Sequence, residues 1–185
     1  DLHLAGDRIK ALQTDAGSIP CDAAVLAGGP DTAALAALAG IDLPLDHTFG
    51  ATVFTEPLDP VFHTVSVVHS PRDLGLGVNF RQFADGAVQI HGGSHQGSLG
   101  RTDAEVDQIL ATAAEFLPQL QTASIREVRR GRRPIPRDGL PVLGFATPNL
   151  YLAAMHSGVT LAALVGECAA SEILDGTRID FLEPY

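Results

Sequence analysis

Residues 7–15 alternate apolar and polar side chains around Ile9, Ala11 and Leu12, and Gly17 then turns the chain. That pattern predicts a β-hairpin or meander. Residues 23–27 (AAVLA) form a short apolar run after Asp22, which predicts a strand buried on both faces, as in a parallel sheet. Gly28, Gly29 and Pro30 end it, and Asp31 or Thr32 is placed to cap an Ala- and Leu-rich helix that stops near Gly40. Further on, residues 51–55, 64–69, 76–81 and 87–91 read as successive strands, with a hairpin signal at Ala84-Asp85-Gly86. His63 and His69 are expected on the sheet's face. Thr102, Asp103 and Glu105 open an amphipathic helix running to Phe116. Its buried face is expected at Ile109, Ala113, Phe116 and Leu117, and Pro118 closes it.

After an arginine-rich strand, Asp138-Gly139-Leu140-Pro141 reads as a turn. Residues 142–145 and 150–155 are two more apolar strands, and His156-Ser157-Gly158 breaks the second. Residues 160–173 form a strongly apolar helix that ends at Asp175-Gly176. The ends therefore read as α/β and the middle as an antiparallel sheet with a helix on one face. The expected fold is mixed α/β, with residues 1–48 and 133–185 in one lobe and 49–132 in the other.

Composition narrows the function classes. The chain has 185 residues, 45% of them hydrophobic, enough for a real core. A net charge of −10 and the absence of Trp argue against a nucleic-acid partner. No apolar run is long enough for a membrane span, and no signal peptide is visible. Cys21 and Cys168, the only cysteines, form no C-x-x-C pair and read as buried small hydrophobes in a reducing, cytoplasmic setting. The chain opens on Asp1 in what resembles the middle of a β-structure, so a piece of a longer protein is expected.

Six of the twelve basic residues fall at positions 126, 129, 130, 132, 133 and 137. Such a cluster either holds an anion or is a solvated strand paired with nearby carboxylates. Arg133 precedes a proline that stiffens the backbone, and a guanidinium so held suits a bidentate carboxylate. The turns at Ala27-Gly28-Gly29 and at His156-Ser157-Gly158 each lie between a strand and a helix. Glycine admits close approach to the backbone there, and helix N-termini attract electron-rich groups. His91 and His95 flank a Gly- and Ser-containing loop without a cysteine, so no metal is expected. No G-x-S-x-G, P-loop or G-x-G-x-x-G occurs.

Three segments, in order, resemble one family: the FAD-dependent oxidoreductases that include D-amino-acid oxidase, glycine oxidase and monomeric sarcosine oxidase. They are CDAAVLAGGP (21–30), RPIPRDGLPVLG (133–144) and NLYLAAMHSGVTLAALVGECAASEILDG (149–176). The resemblance implies an FAD cofactor and oxidation of the C–N bond of an amino acid or secondary amine by hydride transfer to the flavin, often without a protein base. It implies that Arg133 holds the substrate carboxylate, and that the antiparallel middle is the substrate lobe. It also implies that Ala27, Gly28 and Gly29 approach the dinucleotide, with Gly139 and Gly144 in the second cofactor-facing segment. His156, Ser157, Gly158, Val159 and Thr160 would lie beside the isoalloxazine.

Two departures stand out. Met155 replaces the family's usual glycine before the histidine, and the N-terminal strand, G-x-G-x-x-G and helix that bind the ADP half of FAD are missing. The expected partners are a small amino-acid or amine substrate and a dinucleotide-binding segment supplied in cis or by a partner chain. The fragment alone is expected to be inactive. The alternative is a noncatalytic small-carboxylate-binding module, or a subunit that needs a partner carrying the dinucleotide motif.

Overall fold

A computed structural model describes residues 1–61, 63–69, 77–93 and 102–182. The elements begin with β1 (Leu2–Ala5), β2 (Arg8–Thr14), β3 (Gly17–Pro20), β4 (Ala24–Leu26) and α1 (Thr32–Ala37). There follow β5 (Leu45–Thr55), β6 (Ser66–His69), β7 (Gly77–Gln82), β8 (Val88–Gly93) and α2 (Asp103–Phe116). The last are β9 (Ile125–Pro136), β10 (Val142–Thr147), β11 (Leu150–Ala154) and α3 (Gly158–Leu174). Residues 1–47 and 133–185 form one compact unit, and residues 48–132 form a second.

In the first unit, β1, β2 and β3 make an antiparallel meander. A separate three-stranded sheet has the order β10-β11-β4, with β10 antiparallel and β4 parallel to β11. Alternation along β11 divides its apolar side chains between two cores. Leu150, Leu152 and Ala154 join Ala24 and Leu26 of β4, Ile9 of β2, Ala36 of α1 and Leu43. Tyr151 joins Leu143, Met155 and, from α3, Cys168 and Ala169.

Asn149, buried immediately before β11, joins the meander to this sheet. Its Oδ1 accepts from the Ile9 amide at 2.9 Å, while its Nδ2 donates to Ile9 O at 2.8 Å and Asp22 O at 2.7 Å. Its own carbonyl accepts from the Ala24 amide at 2.9 Å, setting the parallel register of β4. On the other face, the fully buried Tyr151 meets the ring of Phe145 edge-on at 5.1 Å and donates its hydroxyl to Glu172 of α3 at 2.7 Å.

In the second unit the sheet order is β6-β7-β8-β5-β9. One face carries Ala51, Val53, Val78, Phe80, Val88 and Ile90, packed against Val106, Ile109, Ala113 and Ala114 of α2. Helix α2 starts with a capping box: Thr102 Oγ1 accepts from the Glu105 amide, and the Glu105 carboxylate accepts from the Thr102 amide. A Cβ on Gly92 would lie 2.7 Å from Ile109 Cγ1, so glycine there lets the helix settle on β8. Gln82 ties the 58–61 loop to the hairpin, its Oε1 accepting from the Val61 amide at 2.8 Å and its Nε2 donating to Leu58 O at 3.2 Å and Gly86 O at 3.0 Å.

Several sequence expectations are corrected. Strand β4 is not buried on both faces: Val25 is 48% exposed, because β4 is an edge strand and the described residues leave that face uncovered. The helix expected up to Gly40 is a 3-10 turn (Gly29–Asp31) followed by α1, which ends at Ala37, and the Asp31 side chain makes no capping bond. Helix α3 starts at Gly158, two residues earlier than expected, and Phe116 in α2 is only half-buried. Cys168 is buried but Cys21 only half so. His63 sits exposed in a bend before β6, not on the sheet, and β6 starts at Ser66. Ser94 and His95, two of the five residues of the histidine loop considered for a metal, lie outside the described residues, as does Leu76.

Candidate functional site

Parallel pairing of β4 with β11 matches Leu26 to Leu152, so both strands end at the same edge of their sheet. Antiparallel pairing matches Val142 to Ala154, which puts the start of β10 at that edge as well. Three connections therefore converge there: Ala27-Gly28-Gly29 after β4, Gly139-Leu140-Pro141 before β10, and Met155-His156-Ser157 between β11 and α3. The edge where parallel strands end is the usual ligand side of an α/β sheet. Gly144 pairs with Leu152 inside β10 at φ 145°, an arrangement that favours glycine. Arg133 belongs to β9, outside this sheet, and is half-buried.

The turn after β11 is the most unusual backbone in the chain. Ser157 has φ 63° and ψ 27°, and among the described residues it is the only non-glycine with positive φ. That conformation costs an L-residue about 1–2 kcal/mol. Ser157 Oγ lies 2.8 Å from His156 Nδ1, and Ser157 makes no side-chain cap to α3. The first intrahelical bond runs from Leu161 N to Ser157 O at 3.1 Å. The amides of Gly158, Val159 and Thr160 thus precede the helical ladder and lack acceptors within it. All three residues are exposed, Val159 at 96%. An apolar side chain left so open beside three outward amides is a surface suited to a flat, partly polar ring.

The turn after β4 is similarly shaped. Ala27 and Gly28 are exposed, and Gly29 has φ 58° with nothing within 4 Å of where a Cβ would stand. A Cβ on Gly28 would press on Leu35 Cδ1 at 2.9 Å. Glycine there keeps the chain close to α1 while leaving its outer side open.

The arginine cluster resolves differently from an anion cradle. Arg126 pairs with Asp85 at 3.0 Å, Arg129 with Glu127 at 2.7 Å, Arg130 with Asp103 at 2.6 Å and Arg137 with Asp46 at 3.4 Å. These are exposed pairs of small energetic value, and they make most of the cluster a neutralised, charge-protected edge strand. Neighbouring charge acts as expected: hydrogen bonds from the Ala87 amide and Arg126 lower the Asp85 pKa, and the bond from Arg129 lowers that of Glu127. Among the described residues no group of three or more His, Cys, Asp or Glu is arranged to hold a metal. No described helix is long and apolar enough to cross a membrane.

Sequence reasoning did not single out Asn149 or the Tyr151–Glu172 pair. Both join positions far apart in sequence and leave no local signature.

Known proteins resemble the chain throughout. The family model described as "FAD dependent oxidoreductase" (DAO) matches residues 1–172. A D-amino-acid oxidase of Bradyrhizobium diazoefficiens is 28% identical over 189 residues, covering 100% of this chain and 44% of that protein. A D-amino acid dehydrogenase of Paramagnetospirillum magneticum is 30% identical, over 97% of this chain and 45% of its own length. The chain thus spans less than half the length of these curated relatives. Among solved structures, glycine oxidase from Geobacillus kaustophilus superposes with a TM-score of 0.77 at 25% identity, covering 94% of this chain and 47% of that one. L-proline dehydrogenase from P. horikoshii shares the fold, with a TM-score of 0.80 at 21% identity over 100% of this chain and 52% of that one. With its matched family model running over nearly all of its length, the chain belongs to the DAO family of FAD-dependent oxidoreductases.

Proposed function

We propose that the chain is the C-terminal portion of an oxidoreductase that oxidises the C–N bond of an amino acid or secondary amine, with residues 1–48 and 133–185 contributing to the FAD lobe and 49–132 forming the substrate lobe. The observation that carries the reading is the meeting of the glycine turns after β4 and β11 at one sheet edge. The residues there fit FAD. Gly29 offers open space where a Cβ would otherwise stand, and Val159 is bare beside three outward amides.

In this reading Ala27, Gly28 and Gly29 approach the dinucleotide. His156, Ser157, Gly158, Val159 and Thr160 border the isoalloxazine, with Gly139 and Gly144 in the neighbouring strand and turn. The bound flavin supplies the hydride acceptor. The amides at the start of α3, aided by the helix dipole, stabilise negative charge on the ring's N1–C2=O side. Arg133 binds the substrate carboxylate. The remaining half, carrying the ADP-binding strand, glycine loop and helix, is supplied in cis or by a partner chain.

Anaerobic mixing of the purified full-length flavoprotein with D- and L-amino acids, sarcosine and proline tests the reading. Loss of oxidised-flavin absorbance with an amine substrate supports it; a flavin that none of them reduces rejects it. For a substrate that works, Arg133→Ala is expected to raise KM by about 10- to 150-fold, the loss of a charge-assisted bond of about 1.5–3 kcal/mol. An unchanged KM removes Arg133 from that role.

A further inference from the structure

Ser157 stands where the backbone favours glycine. Its φ of 63° and ψ of 27° lie in the left-handed region, which strains an L-residue. The turn is fixed from both sides. Before it, Ala154 pairs with Val142, and Met155 is buried beside Leu143, Tyr151 and Cys168. After it, Ser157 O accepts from the Leu161 amide at 3.1 Å and starts α3. Residue 157 therefore takes up the reversal of the chain, and a glycine would do so without strain.

The serine hydroxyl does not serve the helix. It makes no capping bond to α3 and lies 2.8 Å from Nδ1 of His156. Both residues are exposed. An exposed bond between neutral groups contributes little to stability, so it does not offset the strain. What it does is hold the imidazole in one orientation and, through Nδ1, decide which ring nitrogen carries the proton. With Nδ1 engaged, Nε2 is the ring's other polar atom. The surroundings select the tautomer. The amides of Gly158, Val159 and Thr160 are donors that lack acceptors within the helix. A ligand edge that matches three donors is rich in acceptors. An Nε2–H adds a fourth donor to that set, whereas a bare Nε2 sets a lone pair against it. Nε2 carries the proton when the Ser157 hydroxyl, which rotates to suit its partner, donates to Nδ1.

We infer that Ser157 is a positioning residue for His156. Its hydroxyl donates to Nδ1 and holds the imidazole in the Nε2–H tautomer. His156 Nε2–H then donates to the electron-rich side of the bound ring, which favours the reduced cofactor. The inference rests on the reading of this turn as the border of the isoalloxazine, and it gives the two side chains separate roles there.

Two measurements on the full-length, FAD-loaded protein test it without any turnover. Long-range 1H–15N correlation spectra report the tautomer at about pH 9, above the ordinary imidazole range, with His156 assigned by its loss in His156→Leu. The parent is expected in the Nε2–H tautomer and Ser157→Gly as a mixture of the two. An Nδ1–H tautomer in the parent, or the parent's His156 signals retained in Ser157→Gly, would overturn the inference. The second measurement is the flavin's midpoint potential, read by absorbance against a reference dye. His156→Leu is expected to weaken the preference for reduced over oxidised flavin about tenfold, a drop of about 30 mV for a two-electron couple. Ser157→Gly is expected to reproduce most of that drop even though it relieves the backbone; a purely structural serine predicts no drop. The parent's potential in either variant would overturn the inference and leave the functional reading standing. Failure of every amine to reduce the flavin defeats the functional reading, and the tautomer and the potentials still decide this one.

Discussion

Asn149→Ala isolates the joint between the meander and the three-stranded sheet. The substitution deletes three hydrogen bonds, of 2.9, 2.8 and 2.7 Å, to Ile9 N, Ile9 O and Asp22 O. At a net of about 1 kcal/mol each, their loss costs about 3 kcal/mol. Ile9 is 1% exposed, so its amide and carbonyl would be left without their Asn149 partners away from water, at a penalty of about 1–3 kcal/mol for a buried unsatisfied group. The two figures overlap at Ile9, where the penalty already contains the lost bonds, so the expected destabilisation is about 3–5 kcal/mol, toward the large end for a single substitution. Asn149→Asp should be no milder, because it turns a carboxylate oxygen toward two carbonyl oxygens.

The assay is urea unfolding of the purified chain followed by tyrosine fluorescence. Trp is absent, and Tyr151 of β11 lies in the first unit, so its signal reports the unfolding of that unit. A lowered urea midpoint with an unchanged slope would mark a pure stability loss. A loss below about 1 kcal/mol would refute the claim that this side chain joins the two sheets.

Three further outcomes are expected. Ser157→Gly should raise the melting temperature, since glycine relieves a left-handed backbone worth about 1 kcal/mol; an unchanged or lower value would contradict the strain. Gly92→Ala should cost about 1–3 kcal/mol, because its Cβ meets Ile109 Cγ1 at 2.7 Å. Ile109→Ala in the same chain should recover part of that loss, which a double-mutant cycle in urea measures. Burial and then the bond to Glu172 raise the Tyr151 pKa above its ordinary 10.0. The folded state therefore holds the phenol proton more tightly than the unfolded state does. That stability is complete below about pH 10 and is lost progressively as pH rises past it. Tyr151→Phe should flatten this alkaline decline in urea midpoints between pH 9 and 12, while an identical decline in both proteins would contradict the linkage.

Much of the architecture was written locally. The alternation in residues 51–55 and 87–91, the Thr102–Glu105 capping box and the glycine turns after residues 27 and 157 each depend on neighbours a few positions away. What escaped depended on distant or missing neighbours. The run 23–27 is as apolar as a doubly buried strand, yet Val25 is half exposed because no described residue covers that side of β4. The arginine cluster left an anion site and a strand paired with carboxylates equally open, and Asp46, Asp85 and Asp103, remote in sequence, decide for the pairing. Ser157 carried no sign that a non-glycine would adopt a left-handed backbone. Its conformation follows from fitting a tight turn between β11 and α3.

The central claim is that the turns after β4 and β11 face the cofactor. Amide hydrogen exchange of the full-length protein, measured as apoprotein and again after adding FAD, tests it most directly. FAD should slow exchange at Gly28, Gly29 and Gly158–Thr160, while the α2-facing strands of the second unit change little. FAD that binds with full stoichiometry and leaves exchange at both turns unaltered would contradict the account.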